Sequence, residues 1–274
     1  MQSVLEELKE VPWAAPLLAE IEKQGGITYA NKSFLFEARV AYALAKAGLT
    51  AAQYEFPTGV KDTKVDFRLG TTPEWLVEVV SIGRSKGVEA ASFEDGPFFG
   101  TILSSPTQGD TPAERKQSEE HEGLLVVQKI GEKVYDKHEP VKFPPVSPDQ
   151  YHAVIVDMRG HLGGGDIHDW KQIAYGAEVV GEEYRKSWLT ADDKAVPFMG
   201  IWHPDNPMRS AATARERLHM ILFIGEEDYT DDGFLKNAWF AFNPHLVKDL
   251  AEAEKIASTF PLRAVFEKLH GMSP

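Results

Sequence analysis

Three acidic side chains stand where the local pattern calls for apolar ones. Glu37 lies in a segment from Phe34 in which Val40, Ala41 and Leu44 recur at helical spacing, so it shares their stripe. Glu78 alternates with Leu76, Val80 and Ile82 in an apolar run, which puts it on their face of a strand. Asp66 sits between Val65 and Phe67 in a third element, although aspartate is a poor strand former. Singly, each has an ordinary explanation, a helix rim or a solvated strand face. Together they ask for a cation, because an ionised carboxylate is costly to bury unless it is paired or binds a metal. Oxygen donors of this kind suit a hard divalent ion, Mg²⁺ or Mn²⁺.

The elements that must position these acids can be read in order. Ser3 to Lys23 forms a helical lead-in interrupted by Pro12 and Pro16, and Asn31 or Ser33 caps a helix running to Lys46. Strands follow at Gln53 to Phe56, Lys64 to Leu69 and Trp75 to Ile82, the last two joined by a Gly-Thr-Thr-Pro turn. Residues 83–110, rich in Gly, Pro and small polar residues, read as one long loop. A helix is expected from Thr111 and continues through the otherwise polar segment Glu114 to Lys137, even though Leu124 to Val127 is equally strand-like. After a Pro-rich linker from Pro140 to Pro148 come a buried strand at Ala153 to Met158, a Gly-rich loop and a short helix to Tyr175. Beyond it the pattern predicts strands at Phe198 to Trp202, Met220 to Ile224 and Ala238 to Phe242, a helix from Ala211, and helices after His245.

The order helix-Glu, strand-Asp, strand-Glu, with "VDFRL" and "WLVEVVS" as the two strands, resembles the PD-(D/E)xK nuclease superfamily. The resemblance covers Phe34 to Met158. It implies an α/β fold with a restriction-endonuclease-like core, running helix, three strands, helix, strand, extended by a C-terminal α/β half. The expected division is a lead-in over 1–30, the core over 31–160 and an extension over 161–274, continuous with the core sheet. In this likeness Asp66 and Glu78 are the motif acids and Glu37 the acid of the first helix. The chain departs from the pattern at Val80, which stands where the family carries lysine. Members of the superfamily let that lysine migrate. Lys129 and Lys133, four residues apart beside Val126, Ile130 and Val134, are the preferred substitutes, and Lys64, two residues before Asp66, is the second choice.

The implied chemistry is hydrolysis of a phosphodiester, with DNA as the default substrate. Asp66 and Glu78, with Glu37 through water, hold Mg²⁺ or Mn²⁺, which activates a water while a lysine stabilises charge on the phosphorus oxygens. The alternative is a nuclease-shaped protein that no longer cuts and serves as an interaction scaffold, assembled as a homodimer.

Other clusters carry less. His161, Asp166, His168 and Asp169 match no defensible metal spacing, and the loop Gly163-Gly164-Gly165 lacks the lysine and spacing of phosphate loops, so an Asp166 or Asp169 cap is the expected role. Asp157, at a strand end, is ordinary turn chemistry.

Composition bounds the rest. The chain has 274 residues, 43% hydrophobic and 26% charged, enough for a sizeable core. With no Cys, disulfides and thiolate chemistry are excluded, and with no long apolar run a cytoplasmic location without membrane contact is expected. The net charge of -13 disfavours indiscriminate coating of DNA. A local basic strip remains open to it, and Lys61, Lys64, Arg68, Arg84 and Lys86 are close to the acids in sequence.

Overall fold

Alternating and continuous apolar runs in this chain fold into one six-stranded sheet, with the strands in the order β1-β2-β3-β6-β9-β10. The computed structural model describes residues 1–95, 98–101, 118–135, 141–161, 164–189, 194–225, 235 and 237–262. The strands are β1 (Ala52–Pro57), β2 (Lys64–Leu69), β3 (Glu74–Ser81), β6 (Gln150–Asp157), β9 (Met220–Ile224) and β10 (Ala238–Phe242). β1, β2 and β3 form an antiparallel meander, β3, β6 and β9 run parallel, and β10 returns antiparallel to β9. The fold is therefore mixed α/β with an open, mixed sheet. Buried on both faces, β6 and β9 read as unbroken apolar runs rather than alternating ones.

Helices cover both faces. On one side α1 (Gln2–Leu8), α2 (Ala15–Lys23), α3 (Lys32–Lys46) and α8 (Leu250–Ala257) enclose a core that includes Phe36, Leu44, Phe67, Trp75, Val77 and Ile155. On the other, α5 (Glu119–Val134), α6 (Ile167–Tyr175) and α7 (Arg209–Arg217) enclose a second core with Leu76, Val80, Val126, Ile130, Val154 and Trp202. Val80 is a packing residue of this second core.

Several expectations need correction. Residues 83–110 are not one loop: α4 (Lys86–Ala91) starts on a Ser85 cap, and β4 (Ser92–Asp95) pairs with β5 (Phe98–Thr101) as a hairpin. No strand forms at Phe198 to Trp202. The small hairpin β7 (Ser187–Leu189) with β8 (Ala195–Pro197) ends before it. The amides of Ile201 and Trp202 instead donate to the carbonyls of Ile173 and Ala174, in the last turn of α6, at 2.8 and 2.9 Å. An apolar run can satisfy its backbone on a helix end as well as on a strand, and periodicity does not tell the two apart. The helix expected from Thr111 falls partly outside the described residues; α5 begins at Glu119, where Ser118 accepts from the His121 amide at 3.2 Å. Leu124 to Val127 is helical.

Candidate active site

The site forms where β2 and β3 part. Their register covers Phe67↔Val77, Arg68↔Leu76 and Leu69↔Trp75 and goes no further. Asp66, the next residue, fills the gap with its side chain: Oδ2 accepts the Val79 amide at 2.6 Å. On the other side of β2, the ladder with β1 skips the same position, running from Tyr54↔Phe67 to Phe56↔Val65 around Glu55, which has φ +50°. Tyr54 and Phe67 pack in the first core, Phe56 and Val65 against the second. The strands therefore rotate about Asp66, as bulged edge strands do. That rotation opens a gap at the sheet edge which helices from both sides can reach.

Three acids and two lysines meet there. Glu78 is 0% exposed. Lys133, from the last turn of α5, places Nζ 2.8 Å from Glu78 Oε2 and 3.3 Å from Asp66 Oδ2. Its ammonium is the partner of the buried Oε2. Lys142 reaches the other oxygen, Nζ to Glu78 Oε1 at 3.1 Å. Glu37 enters from α3 on the opposite face and accepts from the Tyr54 hydroxyl at 2.7 Å.

The electrostatics follow from burial and crowding. Burial, then repulsion from Asp66, pushes Glu37 up to about 8, against the pull of Tyr54 and Lys133. Burial and Asp66 likewise push Glu78 up to about 7, while both lysines pull it back. Burial works to lower Lys133, but the charges of Glu78, Asp66 and Glu37 outweigh it and hold its ammonium protonated above the ordinary lysine range. Burial and the Glu37 charge raise Tyr54, so its hydroxyl remains a donor. Glu37 and Glu78 are thus poised near neutrality beside the fixed Lys133 ammonium.

Of the expected site residues, Glu37, Asp66, Glu78 and Lys133 come together. Lys129 does not: its ammonium pairs with Glu132 at 2.8 Å on the exposed side of α5. Lys133 and Lys129 are four apart, but only the C-terminal one lies over the gap. Lys64 turns out to the sheet edge and pairs with Glu55 at 2.9 Å. Of the basic residues near the acids in sequence, Arg68 pairs with Glu74 at 2.6 Å, and Lys61 and Lys86 are exposed.

Two members were not foreseen. Lys142 lies in the stretch read as a linker, where its amide donates to the Val134 carbonyl at 3.1 Å and its neighbour Phe143 is fully buried. A lone Lys-Phe between prolines carries no periodic signal. Tyr54 lies on β1, and only the register with β2 places it near Glu37.

As a metal site the donors fit in kind. All are carboxylate oxygens, and Glu78 is fully buried. Among the described residues no group of three or more His, Asp or Glu is already arranged to hold an ion. The position between Asp66 and Glu78 is held by the Lys133 ammonium.

The second cluster divides by role. Asp166 caps α6 in a reciprocal capping box with Asp169, as expected for that loop. His168 stacks on Tyr184 with centroids 3.8 Å apart, and Asp169 pairs with Lys186 at 2.5 Å. Gly163 lies outside the described residues. Asp157 is held by Arg159 and Ser81. Among the described residues no helix is long and apolar enough to cross a membrane.

In comparisons with known proteins, no family model, no curated protein and no solved structure matches this chain.

Proposed function

We propose that the chain is a metal-dependent nuclease of the PD-(D/E)xK type acting on DNA, with Lys133 as the lysine displaced from the position of Val80. The observation that carries this reading is the approach of Lys133, from a helix distant in sequence, to within 2.8 Å of Glu78 and 3.3 Å of Asp66 on two consecutive strands. The order α3, β1, β2, β3, then α5 and β6 after an insertion of α4 and the β4-β5 hairpin, supports it, because apart from that insertion it follows the helix, three strands, helix, strand order of that superfamily.

Asp66 and Glu78, with Glu37 through water, would hold Mg²⁺ or Mn²⁺, which supplies polarisation of the phosphodiester and a more acidic water. Hydrolysis forms one bond between water oxygen and phosphorus and breaks one ester bond, whose oxygen leaves with a proton. Lys133, kept protonated by its neighbours, offsets negative charge on the non-bridging oxygens. Glu37, raised to about 8, keeps its proton through neutral pH and becomes a proton acceptor as pH approaches that value. Tyr54 holds it in place.

One observation favours the second reading, an inactive scaffold: Glu78 is already neutralised by two lysines without any metal. Titration calorimetry with Mn²⁺, run beside plasmid cleavage, separates the two. Binding and cleavage that both disappear in an Asp66→Asn, Glu78→Gln double variant support the nuclease. Absence of binding by the wild type leaves the scaffold.

A further inference from the structure

A cavity of about 760 Å³ opens at the amino ends of the parallel strands β6 and β9, a size that takes a small molecule. Its lining comes from those strand ends, from the segment leading into β6, and from α8 with the residues before it. The apolar part of this wall is unfinished: Val146 is 41% exposed, and Tyr151 and Leu246 are only half-buried. Apolar surface left open in a concave wall is covered most favourably by an apolar occupant.

His219 sets the polar character of the cavity. Only 6% of it is exposed, and it packs edge to face with Tyr151, the ring centroids 5.2 Å apart. Its Nδ1 accepts the His152 amide at 3.1 Å, so that nitrogen carries no proton. Burial lowers the imidazole to about 4, against the pull of Glu252, so at neutral pH the ring is uncharged and its one proton sits on Nε2. That N–H has no acceptor among the described residues, and it is not sealed off from the cavity that the ring lines. The fold thus holds a donor in a single tautomer in the cavity wall, available to a ligand oxygen.

Two cations add to that donor. Lys248 and Lys255 line the cavity, both are exposed, and neither ammonium has a hydrogen-bond or ion-pair partner among the described residues. The two acids beside them are engaged by backbone: Asp249 Oδ1 accepts the Glu252 amide at 2.8 Å as the cap of α8, and Glu252 Oε2 accepts the Lys248 amide at 2.7 Å. We propose that this cavity binds a small amphipathic anion, an apolar body carrying one carboxylate or phosphate. Its oxygens accept from His219 Nε2, Lys248 and Lys255 meet its charge, and its body covers Val146, Tyr151 and Leu246. This assignment does not draw on the nuclease reading.

The test titrates the full chain at neutral pH with anilinonaphthalene sulfonate, aromatic rings with one sulfonate in place of the carboxylate or phosphate, read by fluorescence and by NMR of the histidine rings. The His219 signal is assigned by its loss in His219→Asn, and circular dichroism checks each fold. The wild type should take up one equivalent with a shift of the His219 Nε2 signal. Ala251→Trp, which fills the cavity from an exposed lining position, should abolish binding. Loss of both exposed lysines, Lys248→Ala with Lys255→Ala, should leave the fold intact and weaken binding about 3- to 10-fold. Phenylnaphthylamine, the same rings without the sulfonate, should bind more weakly and be indifferent to the lysines. Decanoate or phenyl phosphate should displace the probe, and whichever does so names the charged group. No stoichiometric binding by the wild type, an unmoved His219 signal, or full binding in the lysine double variant overturns the site. Equal binding of the uncharged rings, or displacement by neither anion, overturns the class of ligand.

Discussion

Lys133 Nζ stands 2.8 Å from Oε2 of Glu78, a carboxylate with no solvent exposure, although 55 positions of chain and a helix separate the two residues. Buried charges are tolerated when paired, and removing one partner is far more costly than never having had the pair. The relation therefore serves stability as well as the proposed chemistry.

Lys133→Met should abolish cleavage and destabilise the fold. Since Lys142 still holds Glu78, the expected loss is about 3 kcal/mol at about pH 8.5, the low end for a broken buried pair. Without Lys133, Glu78 titrates above its present value of about 7, so the variant takes up a proton as pH falls and the deficit shrinks. Urea unfolding at about pH 8.5 and about pH 5.5 measures this; an equal deficit at both would count against the pair.

Metal affinity should rise with pH. Glu37 and Glu78 are raised to about 8 and about 7, and a ligand must be deprotonated to bind. Below these values affinity should climb up to about tenfold per pH unit for each proton released. Tyr54→Phe removes a hydrogen bond that favours ionised Glu37, so the rise should move to higher pH. Calorimetry of Mn²⁺ binding in buffers of different ionisation enthalpy counts the protons, and a count of zero would contradict the assignment of these ligands.

His219 predicts a weakness in acid. Burial lowers it to about 4, against the pull of Glu252, and its Nδ1 accepts the His152 amide at 3.1 Å. Between about pH 6.5 and 4 the unfolded chain binds a proton here that the folded one refuses, so this contribution is full above that window and is lost as pH falls through it. The loss is of order 3 kcal/mol. His219→Asn keeps an acceptor without the titration, and its unfolding curve should depend less on pH across that window. An unchanged slope would assign the acid sensitivity elsewhere.

Gly160→Ala should lose about 1–3 kcal/mol, since its Cβ would meet the Ile82 carbonyl oxygen at 1.9 Å, a backbone atom that cannot swing aside. Thermal unfolding reads this directly. A Tm matching the wild type would mean that the loop relaxes freely.

Much of this was legible in the residues. The strands at 64–69, 220–224 and 238–242 announced themselves by alternation or continuous apolar character, and α3 by its stripe. Each depends on a period of two or 3.6 residues repeated over a few turns, which neighbours in sequence suffice to express. The same local rule exposed Glu37, Asp66 and Glu78 as acids in apolar company, because a misplaced charge is visible against its own element.

The tertiary structure alone decided which cations answer them. Lys129 and Lys133 are equivalent by period, and only the seat of α5 on the sheet turns one over the gap and leaves the other on Glu132. Lys142 and Tyr54 belong to the site because a fully buried Phe143 anchors one segment and strand register aligns the other. Lys32 reaches the Ile82 carbonyl only because α3 packs across the end of β3. Such meetings depend on packing between elements distant along the chain, and a local repeat carries no record of where a side chain ends in space.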